Sequence, residues 1–222
     1  ICGLLDFLNH GDSAVLNQDI LPDVVLKFDF ARDILQLIDK ANIKKPIIGI
    51  GHSVGGHSML LAEILRPGTF TSILAIEPIM KPNLVKEMNP LKELDIKRRR
   101  DRWPDREAAY ASFITKKFFQ SWDPEVLNLY IQYGLCELPS GEVILKCSKI
   151  QEFNSFYSDT SSSITLFHRI SEIQCPILFV AGDKSNFESK ELSLLNASQC
   201  KHNELIFVDA GHLVPMEKPI QV

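Results

Sequence analysis

Residues Gly51-His52-Ser53-Val54-Gly55-Gly56 set one hydroxyl between positions that carry no Cβ: Gly51 lies two before Ser53, Gly55 and Gly56 two and three after it. The spacing is G-x-S-x-G, in which glycine permits a turn too sharp for side chains and the serine Oγ sits at its apex. An apolar run, Pro46 to Ile50, precedes the turn, and a helix-like run, Ser53 to Leu65, follows it. Strand before and helix after is the context that gives the pattern its meaning. The helix starting there points unpaired N–H groups and the positive end of its dipole at the reacting centre. The Val54 N–H is therefore a candidate oxyanion donor. Such a serine suits acyl transfer, provided a base removes its proton.

His212 is the candidate base among six histidines. It follows the run Leu205 to Val208 within "DAGHLVP", where a loop from a sheet's carboxyl edge can fold over Ser53. His52 and His57 flank the serine and are read as packing or polar-lining side chains. Their spacing fits no zinc pattern, and neither a metal nor an organic cofactor is expected. His168 and His202 have no distinguishing context. Arg98-Arg99-Arg100 reads as a solvated face rather than an anion site. Trp103, Phe118, Phe119 and Trp122 read as packing, with room for some of them to line an acyl pocket.

The elements that must position these residues alternate. Ile1 to Leu5 reads as a short strand, followed by the turn "DFLNHGDS". Phe30, Ile34 and Ile38, with Ala31 and Leu35 beside them, put a four-residue apolar stripe on a helix from about Asp23 to Lys40. Thr71 to Ile76 is a strand closed by Glu77-Pro78. Strands at Ile177–Ala181 and Leu205–Val208 enclose a helix near Phe187 to Leu195. This order predicts an α/β fold, a mostly parallel sheet with helices on both faces. Between them, residues 81–170 are more charged and read as a mainly helical insertion, with helices at Arg106–Phe119 and Pro124–Tyr133 and an extended piece at Glu142–Cys147. The expected division is thus core 1–80, insertion 81–170 and core 171–222.

Bulk properties agree. At 222 residues, 45% hydrophobic and 23% charged, the chain suits one globular domain with an insertion, not a disordered segment. A net charge of −4 argues against nucleic acid as a partner, and no apolar run reaches the ~18 residues of a membrane helix. The five cysteines are odd in number and scattered without CxxC spacing, as expected of reduced thiols inside a cell. A lone Asn196-Ala197-Ser198 sequon points the other way. The chain opens inside an apolar run and stops as a helix begins, so both ends are expected to be cut.

Taken together, "LLDFLNHGDS", "GHSVGG", "GDKSNF" and "AGHLVPMEKP" resemble the α/β-hydrolase fold serine hydrolases, over both core segments. The resemblance implies a triad in the order Ser53, acid, His212, and makes the insertion a cap. The cap text resembles a branch with fungal peroxisomal lipase-like and toxin-biosynthesis hydrolases, which implies a cytoplasmic or peroxisomal setting. The expected activity is cleavage of an ester-type bond in a small or acyl-chain substrate. C–C bond hydrolysis, acyl transfer, a non-catalytic binding role and an inactive fragment are the alternatives.

Two departures from the family's pattern stand out. Its usual acid position, three residues after Gly182, holds Ser185. Glu77, at the end of the strand after the serine, is the preferred acid, because some family members use that site and its extra methylene helps it reach. Asp183 is the alternative. The family's oxyanion loop and first strands belong upstream of Ile1, so the chain is expected to be a fragment lacking them.

Overall fold

The computed structural model describes residues 2–82, 98–157, 159 and 161–222. Part of the expected insertion, residues 83–97, lies outside them, as does Ile1 of the expected first strand. In chain order the elements are α1 (Gly11–Leu16), α2 (Lys27–Lys40), β1 (Ile48–His52), α3 (Val54–Leu65), β2 (Ser72–Ile76), β3 (Arg102–Trp103), α4 (Arg106–Ile114), α5 (Lys117–Gln120), α6 (Pro124–Tyr133), β4 (Leu135–Glu137), β5 (Val143–Leu145), α7 (Lys149–Tyr157), α8 (Ser161–Arg169), β6 (Ile177–Gly182), α9 (Lys190–Ser198), β7 (Asn203–Val208) and α10 (Val214–Glu217). Two compact units result. One holds, of the described residues, 2–25, 98–157 and 216–219; the other holds 26–82, 159, 161–215 and 220–222.

The second unit is built on a parallel sheet of order β1-β2-β6-β7. Its register pairs His52 with Ile76, Ile76 with Val180, and Gly182 with Val208. The strands therefore end together, and the residues just past them, Ser53 among them, emerge along one carboxyl edge, where open α/β sheets bind ligands. Helix α3 is buried through Leu60, Leu61 and Ala62, and α2 buries the predicted Phe30, Ala31 and Ile34. On β1 the pattern differs from a uniformly buried strand. Ile48 and Ile50 are 64% and 59% exposed, while Gly49 and Gly51 face inward. The reason is steric: a Cβ at Gly51 would lie 2.4 Å from the Gly55 carbonyl carbon, so only glycine lets α3 approach the strand.

The other unit has its own small core. Trp103, Ala109, Phe113, Leu127, Ile131, Leu135 and Val143 are buried together over an antiparallel sheet of order β3-β5-β4. Helix α4 stops at Ile114 rather than running to Phe119. On one continuous helix Phe113 and Phe119, six residues apart, would face different directions. The break at Thr115-Lys116 brings Phe119 back to stack on Phe113 at 4.5 Å. Trp103 and Trp122 pack in this cluster as expected, and Phe118 is 58% exposed. Arg99 pairs with Glu152, and the Arg100 guanidinium lies over the Trp103 ring, both on exposed surface.

One expected element is absent. Residues 2–6 form no strand, and Leu4 is 94% exposed. The Asp6 carboxylate accepts instead from the Asp12 N–H at 2.8 Å, and Asp6 O accepts from the Ser13 hydroxyl at 3.0 Å. The "turn" thereby carries helix α1, because these bonds commit the segment to a helix start rather than a sheet.

Candidate active site

Ser53 occupies the turn between β1 and α3 with φ +53° and ψ −116°, a conformation that side chains rarely adopt. Two bonds hold it there. The Ser53 N–H donates to Ile76 O at 2.9 Å, and the His57 N–H donates to Ser53 O at 3.0 Å as α3 begins. Val54 is the first helical residue, so its N–H has no acceptor within the helix. Because Gly51 meets backbone rather than a movable side chain, Gly51→Ala is expected to cost on the order of 3 kcal/mol of stability. Urea unfolding at fixed pH measures it, and a change under 1 kcal/mol would show that the turn relaxes freely.

Ser53 and His212 meet, and the carboxylate that joins them is Glu77, which the resemblance favours over Asp183. His212 Nε2 lies 3.0 Å from Ser53 Oγ and its Nδ1 lies 3.0 Å from Glu77 Oε2; with the proton on Nδ1 the ring donates to the carboxylate and accepts the Ser53 hydroxyl. The Glu77 side chain is 1% exposed. A carboxylate buried so deeply needs compensating donors, and it has three. Gly182 N–H reaches Oε1 at 2.7 Å, the Ser185 hydroxyl reaches Oε2 at 2.7 Å, and the imidazole supplies the third. Glu77 has φ +46°, and its own N–H donates to Val180 O at 2.8 Å. Asp183, the alternative acid, is exposed, and its backbone N–H donates to Val208 O.

The loop carrying His212 is held on both sides. A Cβ at Gly182 would come within 2.2 Å of Gly211 O, so that glycine admits the loop. Phe187 lies against the imidazole with ring centroids 4.1 Å apart. His52 donates its Nε2–H to His212 O at 2.8 Å. Burial pushes His52 down to about 4, against the pull of that hydrogen bond, so it is a neutral donor at pH 7. From the sequence His52 reads as packing or polar lining, while Ser185 and Phe187 carry no assignment. Only Ser185 left a signal, by standing where the family's acid usually stands.

His57 is fully buried, its Nδ1–H donating to Ile79 O at 2.5 Å. Burial pushes it from 6.5 down to about 4. The unfolded imidazole takes a proton in that window and the folded one does not. Its contribution to stability is therefore complete above about pH 6.5 and is lost as pH falls through about 4. At ~1.4 kcal/mol per unit this is on the order of 3 kcal/mol. The urea midpoint is expected to drop between pH 6.5 and 4.5, with a shallower slope in His57→Asn; parallel slopes would assign the loss to other groups.

Three of the five cysteines make poor nucleophiles. Burial pushes the Cys147 and Cys200 thiols up to about 12 and Cys175 up to about 11, which leaves little thiolate at neutral pH. Among the described residues, no three His, Cys, Asp or Glu side chains are grouped to hold a metal ion. No helix among them is long and apolar enough to cross a membrane.

The family model described as the alpha/beta hydrolase family matches residues 3–222. The chain belongs to the α/β-hydrolase family. This α/β-hydrolase is 24% identical over 212 residues to the abhydrolase domain-containing protein AFT2-1 of Alternaria alternata, covering 80% of each chain. It is 28% identical over 141 residues to the type I acyl-CoA thioesterase mpaH of Penicillium roqueforti, which takes in 61% of this chain and 32% of that one. Among solved structures it is similar to the peroxisomal α/β-hydrolase Lpx1 of Saccharomyces cerevisiae, with a TM-score of 0.83 and 21% identity. That likeness of fold covers 96% of this chain, which spans 61% of the length of Lpx1.

Proposed function

We propose that this α/β-hydrolase is a serine hydrolase that cleaves a carboxylic ester or thioester of a small or acyl-chain substrate. The observation that carries the reading is the unbroken path from Ser53 Oγ through the His212 ring to the buried Glu77 carboxylate. In the first step His212 Nε2 takes the Ser53 proton as Oγ attacks the acyl carbon. Glu77 fixes the tautomer and stabilises the imidazolium. The Val54 N–H donates to the oxyanion; such a donor is typically worth ~10² to 10³ in rate. The imidazolium then protonates the leaving alcohol or thiol, leaving Ser53 acylated. Water attacks the acyl-enzyme with His212 again as base, and the acid product departs.

Thioesters are included because a relative of this chain bears the name of an acyl-CoA thioesterase. Residues 81–170 are assigned to substrate selection, following the cap of the resembled family. A peroxisomal setting goes with the likeness to the yeast peroxisomal hydrolase, and a cytoplasmic one with the free cysteines. The test is direct: folded protein is incubated with a fluorophosphonate probe and the adduct located by peptide mass spectrometry. Modification at Ser53 is the expected result. Folded protein that stays unmodified there would sink the reading.

A further inference from the structure

One tight turn grips the Glu77 carboxylate by both oxygens. The turn runs from Gly182 to Ser185 and is closed by the Ser185 N–H, which donates to Gly182 O at 3.1 Å. Its two ends each aim a donor at the carboxylate: the Gly182 N–H reaches Oε1 and the Ser185 hydroxyl reaches Oε2, both at 2.7 Å. The two bonds differ in consequence. Oε2 is also the oxygen that His212 Nδ1 meets at 3.0 Å, so Ser185 and the imidazole share it. A carboxylate oxygen offers two lone-pair sites. With one taken by Ser185, the direction of the other is fixed, and His212 meets it there. Held by Gly182 alone, the carboxylate can pivot about Oε1.

The same hydroxyl is tied to the far side of the imidazole's surroundings. The Phe187 N–H donates to Ser185 Oγ at 3.2 Å, which leaves the Ser185 proton committed to Glu77. Phe187 lays its ring on His212, and Lys81 Nζ lies 4.8 Å from the centroid of that ring. Ser185, Glu77, His212 and Phe187 therefore form a closed circuit in which each touches the next. We infer that Ser185 is a positioning residue for the proposed reaction: its hydroxyl fixes the Glu77 oxygen that orients His212 and links it to the aromatic ring packed on the same imidazole. The inference rests on the serine-hydrolase reading above, and Ser185 acts through Glu77 rather than on the reacting atoms. Hydrogen bonds to charged groups are among the stronger ones. This one counts in the rate because His212 must stay aligned while it takes the Ser53 proton and becomes an imidazolium. A hydroxyl that only solvated the buried charge would count in stability alone.

The test is Ser185→Ala, read as kcat and KM with a chromogenic acyl ester and as the rate of fluorophosphonate labelling at Ser53. Both kcat and the labelling rate are expected to fall roughly tenfold, with KM within about twofold of wild type. In a Glu77→Gln background the same substitution is expected to change the labelling rate by less than about twofold, because the carboxylate it positions is already gone. A variant that reacts at the wild-type rate, whatever its melting temperature, overturns the inference. An equal fractional loss in both backgrounds overturns it too, since it would come from the fold and not from Glu77. Should the alanine variant not fold, Ser185→Cys fills the same space with a weaker donor. It is expected to lose roughly threefold or more in kcat, and wild-type kcat there overturns the inference equally. Absence of labelling in folded wild type would instead overturn the serine-hydrolase reading, so the two failures are distinct.

Discussion

Ser53→Ala is expected to remove ester hydrolysis to within the background of the buffer, a loss of ~10⁵ to 10⁶ in kcat with a chromogenic acyl ester. The size follows from covalency: without Oγ there is no acyl-enzyme, and the remaining oxyanion donors and binding contacts act on uncatalysed attack by water. Packing gives no competing cause for such a loss. Ser53 is half-buried, its backbone makes both the bonds that hold the turn, and its Oγ bonds only to His212 among the described residues. Alanine tolerates φ +53° no worse than serine does. Fold and stability should therefore stay close to wild type, and the melting temperature serves as the control. A variant that melts normally and keeps more than a tenth of the activity would show that another group performs the chemistry.

Glu77→Gln carries the second largest expectation, a fall of ~10³ to 10⁴ in kcat with little change in KM. Glutamine keeps the shape of the site but replaces a carboxylate that accepts three hydrogen bonds with an amide that can turn an N–H toward the imidazole. His212 would then hold its proton on the wrong nitrogen or lose its orientation. Asp183→Asn is the paired measurement. That side chain is exposed and the residue is held through its backbone, so its kcat is expected to stay within about threefold of wild type, the scale of a surface charge change. The reverse outcome, a large loss in Asp183→Asn with Glu77→Gln near wild type, would move the acid to the loop after β6.

The paired carboxylates also show what kind of information a sequence holds. The glycines around Ser53, the strand and helix that flank it, and the loop that carries His212 are local patterns. Each depends on backbone sterics or hydrophobic period over a few residues, and each was legible. The helix over residues 27–40 and the parallel core strands were legible for the same reason. The expected strand at Ile1–Leu5 failed because a strand exists only if a neighbour pairs with it. Among the described residues none pairs with 2–6, and Asp6 spends its bonds on α1. The break at Thr115-Lys116 was equally hidden, since it depends on Phe119 finding Phe113.

By itself, then, the sequence determined that one serine stands at a sharp strand-to-helix turn and that a histidine far downstream leaves the same sheet. Only the tertiary structure decided which carboxylate the histidine meets. Glu77 and Asp183 both leave the sheet at its carboxyl edge, and chain position does not say where a side chain points. The answer came from φ +46° at Glu77 and from donors at Gly182 and Ser185, more than a hundred residues away in the chain. A buried charge settles where enough donors converge on it, and convergence is a property of the assembled fold.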